Sequence, residues 1–342
     1  MKLLSKRVVV ILLVVILGLV GIFSACAPKQ APQVGPKHKV ALLLMQPLGD
    51  PFADLCFKGI QRLQAEMGGP TELGGKVIEA KEKGEYREQI ISAIELGYNP
   101  IVTLWDDLAH EVIDIAPQYP NVKFIIFDSE VTKDLPNVKN VIVNPKDASY
   151  VAGVVAAKTT KTKKVGFVGG ADIPVIIYFL AGFEAGVKDT DPSVKGYVTF
   201  AGTFIDPAKG KELALMLYDK GCDVVMHAAN KTGLGVLKAA EERGKWAIGV
   251  DMWQGDVAPG HVLWSAIKPA DDAMYIVVKE AVEGKFTPGT WIYDPEHGAT
   301  LYDERDLAGL SPEVAREVQA VVEKIKSGEI KVPTDTATRT GW

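Results

Sequence analysis

Cysteine and histidine are scarce in this chain: its 342 residues include three of the first and five of the second. Cys56 and Cys222 lie far apart inside apolar stretches, so no disulfide framework holds the fold and a large hydrophobic core must. Two buried thiols are expected, although an oxidising compartment would let them pair. His38, His110, His227, His261 and His297 are scattered without metal-ligand spacing, and neither His-Glu-x-x-His nor Cys-x-x-Cys occurs. A Gly-x-Ser-x-Gly nucleophile elbow is missing as well. The stretch 202–211 (GTFIDPAKGK) has its glycines at the wrong spacing for a phosphate loop, and Glu212 stands where a magnesium-binding hydroxyl would be. No enzymatic chemistry, metal or cofactor is therefore expected. Excess positive charge is lacking too. Lys and Arg total 38 against 43 Asp and Glu, a formal charge of −5, which disfavours a nucleic-acid partner.

What is present begins at the N-terminus. Lys2, Lys6 and Arg7 introduce an apolar run over 8–23, followed by Ser24-Ala25-Cys26. A cationic start, a short apolar middle and small residues before a break read as a secretory signal. The run is too short to span a bilayer comfortably and has no stop-transfer flank. The cysteine directly after the small residues resembles the lipobox of bacterial lipoproteins, with Phe23 in place of the usual leucine, and the resemblance implies a lipid (palmitate) on Cys26. An uncleaved anchor helix is the alternative. Either way the remainder is expected in the cell envelope, extracytoplasmic and tethered to the membrane. Residues 27–37 (APKQAPQVGPK), rich in Pro, Gln and Lys, read as a solvated spacer.

From Lys39 onward, short β-branched runs alternate with amphipathic segments. Apolar runs fall at 40–45, 101–104, 122–127, 141–143, 165–168, 197–200, 224–226 and 247–250, with a weaker one at 77–80. Between them lie helical patterns, such as 51–67, where Phe52, Leu55, Cys56, Ile60 and Leu63 follow the helical period. Asp50-Pro51, Asp206-Pro207 and Ser311-Pro312 each set a cap residue before a proline at the first helical position. Fully apolar strands alternating with helices imply α/β layers with parallel sheets, and their number favours two Rossmann-like lobes. The expected division is a signal peptide over 1–25, a lipidated tether over 26–37, a first lobe over 38–145 with 269–286, and a second over 146–268 with 287–342.

Doubly wound sheets bind ligands at the carboxyl ends of their strands. Asp128 follows 124–127, Asp251 follows 248–250, His227 follows 224–226 and Lys268 ends 263–267. An acid at a strand end often merely caps the next helix. Two acids and a lysine at equivalent positions instead suit a neutral, hydroxyl-rich ligand, whose donors and acceptors would satisfy otherwise costly buried charges. Phe52, Trp105, Phe179 and Trp253 sit near the same ends and suggest a slot for a flat ring. Gly233 and Gly235 open the helix after His227, where backbone amides could approach a ligand or where glycine simply serves the turn. His227 reads as a structural histidine.

The ordered motifs KVGFVGG (164–170), DIPV (172–175), GFEAG (182–186), DPAKG (206–210), His227-Ala228-Ala229, TGLG (232–235) and GVD (249–251) resemble the basic membrane protein family. These are PnrA-like substrate-binding lipoproteins of ABC transporters. The likeness runs from about Lys39 past Lys268. It implies a type I periplasmic-binding-protein fold, with two lobes joined by three crossovers, a ligand in the interlobe cleft, permease subunits as partners and a monomer. It also implies a purine nucleoside such as inosine, guanosine or adenosine. In that family Phe52 would stack on the base, Asp128 would hydrogen-bond the base edge, Asp251 and Lys268 would hold ribose hydroxyls, and Gly233 would lie beside the sugar. Asp50 aligns imperfectly with a further family acid. Ala53 replaces the usual asparagine, Asn230-Lys231 replaces a glycine pair, and Trp253 stands where a small or acidic residue is usual. Those departures leave two alternatives open, another planar heterocycle such as riboflavin or a modified base, and a surface adhesin or sensor.

Overall fold

A computed structural model describes residues 36–45, 48–80, 82–336 and 338–342. The leader, Cys26 and nearly all of the tether lie outside the described residues. Among the described residues, eleven strands form two sheets. The first six-stranded sheet contains β1 (His38–Leu44), β2 (Leu73–Glu79), β3 (Ile101–Leu104), β4 (Phe124–Phe127), β5 (Val138–Val143) and β11 (Gly289–Tyr293) in the order β11-β5-β4-β3-β1-β2. The second, five-stranded sheet contains β6 (Lys164–Gly169), β7 (Lys195–Phe200), β8 (Val224–Ala228), β9 (Trp246–Asp251) and β10 (Val262–Ile267) in the order β10-β9-β8-β6-β7. Every pairing between these strands is parallel. Parallel sheets carry helices on both faces, which is why β3 and β4 are buried along their whole length.

The chain crosses between the sheets three times: after β5, after β10 and after β11. Residues 287–293 therefore depart from the expected division. The expected division places them in the second lobe, yet Gly289–Tyr293 runs as β11 beside β5, pairing Trp291 with Val141. Only Tyr293 of this edge strand is buried, so it lacks the continuous apolar run that marks an inner strand.

Helices α1 (Pro51–Glu66), α2 (Tyr86–Glu95) and α3 (Asp106–Ile115) connect strands of the first sheet. Helix α4 (Lys146–Thr159) follows the first crossing. Helices α5 (Pro174–Thr190), α6 (Pro207–Asp219) and α7 (Asn230–Arg243) connect strands of the second sheet. Helix α8 (Ala270–Val282) returns to the first sheet and packs on α1, while α9 (Glu304–Ala308) and α10 (Pro312–Lys326) complete the second core. The proline-led starts behave as their sequence dictates. Asp50 accepts from the amides of Phe52 and Ala53, Asp206 from Lys209, and Ser311 from Val314, each such cap stabilising by about 1 kcal/mol. Phe124, Phe127, Phe167 and Trp264 are fully buried, and each large apolar side chain so removed from water contributes roughly 1.5–3 kcal/mol. Cys56 and Cys222 are buried and free.

Both sheets reverse their strand order once, between β1 and β3 and between β6 and β8. A doubly wound sheet opens its crevice at such a switch point. The loops following β1, β3, β6 and β8 meet there.

Candidate functional site

The strand ends that face this crevice share an uncommon backbone conformation. Trp105, Asp128, Asn230 and Asp251 have φ of 68°, 58°, 45° and 69°. Non-glycine residues rarely adopt this left-handed region, and each instance costs on the order of 1–3 kcal/mol. All four line a single cavity of about 270 Å³. Strand register sets them side by side. Leu104 pairs with Phe127, bringing Trp105 and Asp128 together, and Asp251 pairs with Ile267, bringing Lys268 alongside.

The charges of this site do not act alone. The Lys268 ammonium lies 2.7 Å from each Asp128 carboxylate oxygen, with the two side chains only 2% and 6% exposed. It also sits 4.5 Å from the centroid of the Phe52 ring, a cation–π contact. Asp251 is buried, lines the cavity and receives no hydrogen bond or ion pair at its carboxylate from the described residues. Burial pushes this carboxyl up to about 7. The Lys268 ammonium pulls it down, and the negative charges of Asp128 and Asp50 push it further up.

Phe52 and Trp105 form one wall, their ring centroids 6.3 Å apart and tilted by 38°. Phe179 and Ile176 of α5, with Ile173 and Val175 at its start, close the cavity from the second lobe. Six of the nine expected site residues thus meet here: Phe52, Trp105, Asp128, Phe179, Asp251 and Lys268. Sequence reasoning missed Met45, Asp106, Asp107, Ile173, Phe204 and Asn230, which also line it. Two of these carried a readable signal, since Asp106 and Asp107 directly follow Trp105 at a strand end. Phe204 sits in a loop with no such landmark.

The other three expected residues are placed elsewhere. Asp50 is wholly buried beside the cavity, its Oδ1 capping α1 and accepting from Asn230 Nδ2 at 3.4 Å, while Oδ2 has no partner. Burial raises its carboxyl, against the pull of the helix amides. Gly233 turns toward the protein: a Cβ there would lie 2.0 Å from His227 Nδ1. It makes room for an imidazole rather than for a ligand. Gly235 likewise meets the Pro207 carbonyl, a close approach of α7 to α6. Trp253 faces away and stacks under the Arg305 guanidinium, 3.8 Å from ring centroid to Cζ. The left-handed turn at Asp251 redirects the chain, so a residue two positions on no longer shares the strand's outlook.

His227 is fully buried and stands behind the cavity. Its Nε2 is 3.0 Å from Gln254 Oε1, which also accepts from the Val250 amide. Its Nδ1 has no partner, so the structural histidine is only half satisfied. Burial lowers its pKa to about 4, and the imidazole is neutral at physiological pH. Among the described residues no cluster of His, Cys, Asp or Glu is arranged to hold a metal ion.

A buried carboxylate without a partner, aromatic walls and a preformed hollow between two α/β layers describe a binding site for a small molecule. The chain is similar to proteins whose roles agree. Residues 37–336 match the family described as Bmp, ABC transporter substrate-binding protein PnrA-like. The "CD4+ T-cell-stimulating antigen" of Listeria monocytogenes is 35% identical over 283 residues, 76% of this chain and 77% of that one. The "ABC transporter nucleoside-binding protein BmpA" of Lactococcus lactis is 31% identical over 301 residues, 83% and 85% of the two chains. A crystal structure of an ABC transporter solute-binding protein from Aeropyrum pernix superposes with a TM-score of 0.77 at 26% identity, covering 88% of this chain and 94% of that one. Proteins of this kind are extracytoplasmic and membrane-associated, and they bind small molecules for delivery to permeases rather than transforming them. No helix among the described residues is long and apolar enough to cross a membrane. The two-lobed α/β fold, its ligand-sized interlobe cavity and the match along nearly the whole length establish that this chain belongs to the Bmp family of PnrA-like ABC transporter substrate-binding proteins.

Proposed function

We propose that this protein captures a purine nucleoside between its lobes and hands it to a membrane permease, held at the envelope by a lipid on Cys26 and acting as a monomer. The observation that carries the reading is Asp251, a buried carboxylate with no protein donor, facing a hollow walled by Phe52, Trp105, Phe179 and Phe204. A ribose supplies vicinal hydroxyl donors for such an acid, and a purine supplies a flat face for the rings. Lys268, bound to Asp128, can give a remaining N–H to the same ligand. The Lactococcus lactis relative, named as nucleoside-binding, supports this choice.

Capture would couple to lobe closure. Asn230 of the second lobe reaches Asp50 of the first at 3.4 Å. Tyr178 of α5 lies beside Glu130, whose carboxylate adds to burial in raising the tyrosine pKa. A ligand that touches both walls favours the closed arrangement by its differential affinity for that state, and a permease can read that difference. Ala53 and Trp253 suggest another planar ring such as riboflavin, but the Trp253 side chain is engaged by Arg305 outside the cavity. Titration calorimetry of the protein with inosine, guanosine and adenosine tests the reading. Binding of at least one with single-site stoichiometry is the expected result, and heat-silent titrations with all three would overturn it.

A further inference from the structure

Two helices that begin on opposite sides of the cleft meet at their starts. Helix α1 of the first lobe and α7 of the second are in contact, and the carboxylate of Asp50 lies at the junction. That side chain is wholly removed from solvent. Its Oδ1 accepts from the amides of Phe52 and Ala53, at 3.1 Å each, and from Asn230 Nδ2 across the cleft at 3.4 Å. Its Oδ2 has no partner. A buried carboxylate in this condition depends on positive charge nearby.

The second lobe supplies that charge. Lys231 follows Asn230, and its ammonium lies 3.9 Å from where a Cβ on Gly49, the neighbour of Asp50, would stand. The positive end of the α7 dipole faces the same acid. Burial raises the Asp50 carboxyl, and the Lys231 charge and the Asn230 amide both pull it back down. The mount is stiff. Thr232 is fully buried, donates its hydroxyl to the Thr203 carbonyl at 3.1 Å and accepts the Asp206 amide at 2.9 Å. Asn230 and Lys231 therefore travel with the second lobe, while the cap on α1 fixes Asp50 to the first. Neither Asp50 nor Lys231 lines the cavity.

We infer that Asp50, Asn230 and Lys231 form an electrostatic latch between the lobes, which favours closure whether or not the cavity is filled. The inference concerns closure and stands apart from the identity of the ligand. Opening the cleft exchanges a partly desolvated attraction for a hydrated, weaker one. The latch thus multiplies the closed population of the free and the occupied protein alike. Where only the closed form holds ligand tightly, the apparent dissociation constant is the intrinsic one divided by the closed fraction. Two residues outside the cavity then help to set the affinity, and the contact must break before ligand leaves. A glycine pair at 230–231 has no side chains to make this contact, so the latch depends on the Asn230-Lys231 that this chain carries there.

The test joins small-angle X-ray scattering of the ligand-free protein to titration calorimetry with inosine, guanosine and adenosine. It compares the wild type with Lys231→Met, Asp50→Asn and the double variant. Asp50→Asn deletes the charge and keeps the cap, because asparagine caps a helix as well as aspartate does. If the free wild type is mostly closed, Lys231→Met should enlarge its radius of gyration. If it is mostly open, the variant should lose affinity by about tenfold and release nucleoside faster. Either shift should shrink at high salt, and adding Lys231→Met to Asp50→Asn should bring no further change. An unchanged radius together with an unchanged affinity overturns the latch, even where the urea midpoint falls. Effects of the two single variants that simply add in the double variant overturn it as well. Silence toward all three nucleosides overturns the nucleoside reading; scattering alone then decides, and an unchanged radius overturns the latch.

Discussion

The ammonium of Lys268 holds Asp128 from 140 residues away along the chain, at 2.7 Å from each of its oxygens and almost out of reach of solvent. Asp128 ends an inner strand of the first sheet, and Lys268 stands where the chain leaves the second sheet for α8. The pair therefore fastens the floor of the cavity at a crossing point between lobes. Ion pairs exposed at the surface contribute little, but a buried one is costly to break from one side.

Lys268→Met should accordingly destabilise the protein by about 3–5 kcal/mol, because it leaves the Asp128 carboxylate buried and uncompensated. The double variant Asp128→Asn/Lys268→Met should recover a large part of that loss, since no charge is then stranded. Urea denaturation of the wild type, both single variants and the double variant measures the coupling. Single-variant costs that simply add in the double variant would show that the pair is not a unit.

Asp251 makes stability and binding depend on pH. Its folded pKa of about 7 lies well above the value of an unfolded aspartate. Below pH of about 4 the carboxyl is neutral in both states and carries no penalty. As pH rises toward 7 the unfolded state loses the proton first, so stability falls, by up to about 4 kcal/mol from this group once pH exceeds 7. Asp251→Asn removes the dependence, and the gap in unfolding free energy between variant and wild type should widen from pH 4 to 8. A ligand hydroxyl donating to the carboxylate favours its charged form. Nucleoside binding near pH 6–7 should then release protons, which calorimetry in buffers of different ionisation enthalpy detects. A parallel pH profile for the wild type and Asp251→Asn would contradict this account.

Gly233→Ala tests what the glycine is for. The new methyl would fall 2.0 Å from His227 Nδ1, and the ring cannot swing away freely because Gln254 Oε1 holds Nε2 at 3.0 Å. Overpacking of this kind costs about 1–3 kcal/mol. The expected outcome is a lowered urea midpoint, partly restored when His227→Ala is added. If Gly233 instead bordered the sugar, the substitution would weaken nucleoside binding and leave the midpoint alone.

Much of this architecture was legible because the inner strands are continuous apolar runs. Phe124 to Phe127 and Ile101 to Leu104 are buried at every position, so they could be read without knowing their neighbours. The first polar residue beyond such a run then marks the crevice, which is how Asp128, Asp251 and Lys268 were found. Edge strands carry a weaker pattern, and β11 escaped notice for that reason. Phe204, Ile173 and Asn230 reach the cavity from loops and helix starts of the second lobe, where their position depends on how two lobes meet and no local period records it. The pairing of Lys268 with Asp128 was also unreadable, since each looked like a group waiting for a ligand.

Trp253 is the sharpest remaining test of how the loop after β9 is built. Its ring lies under Arg305, and the Asp306 carboxyl stands nearby. Asp306 itself is buried, pushed up to about 6 by desolvation, and lies beside Ser265, whose hydroxyl accepts from the Gln254 amide. Trp253 thus belongs to a polar brace behind the cavity, and Gln254 carries that brace to the Val250 amide, one residue before Asp251. Trp253→Ala should cost about 1 kcal/mol of stability through the lost cation–π contact. Nucleoside affinity should stay within a few-fold of wild type, because the ring does not line the cavity. A loss of affinity beyond about tenfold, or 1.4 kcal/mol, with stability unchanged would show instead that the indole turns inward to meet the ligand.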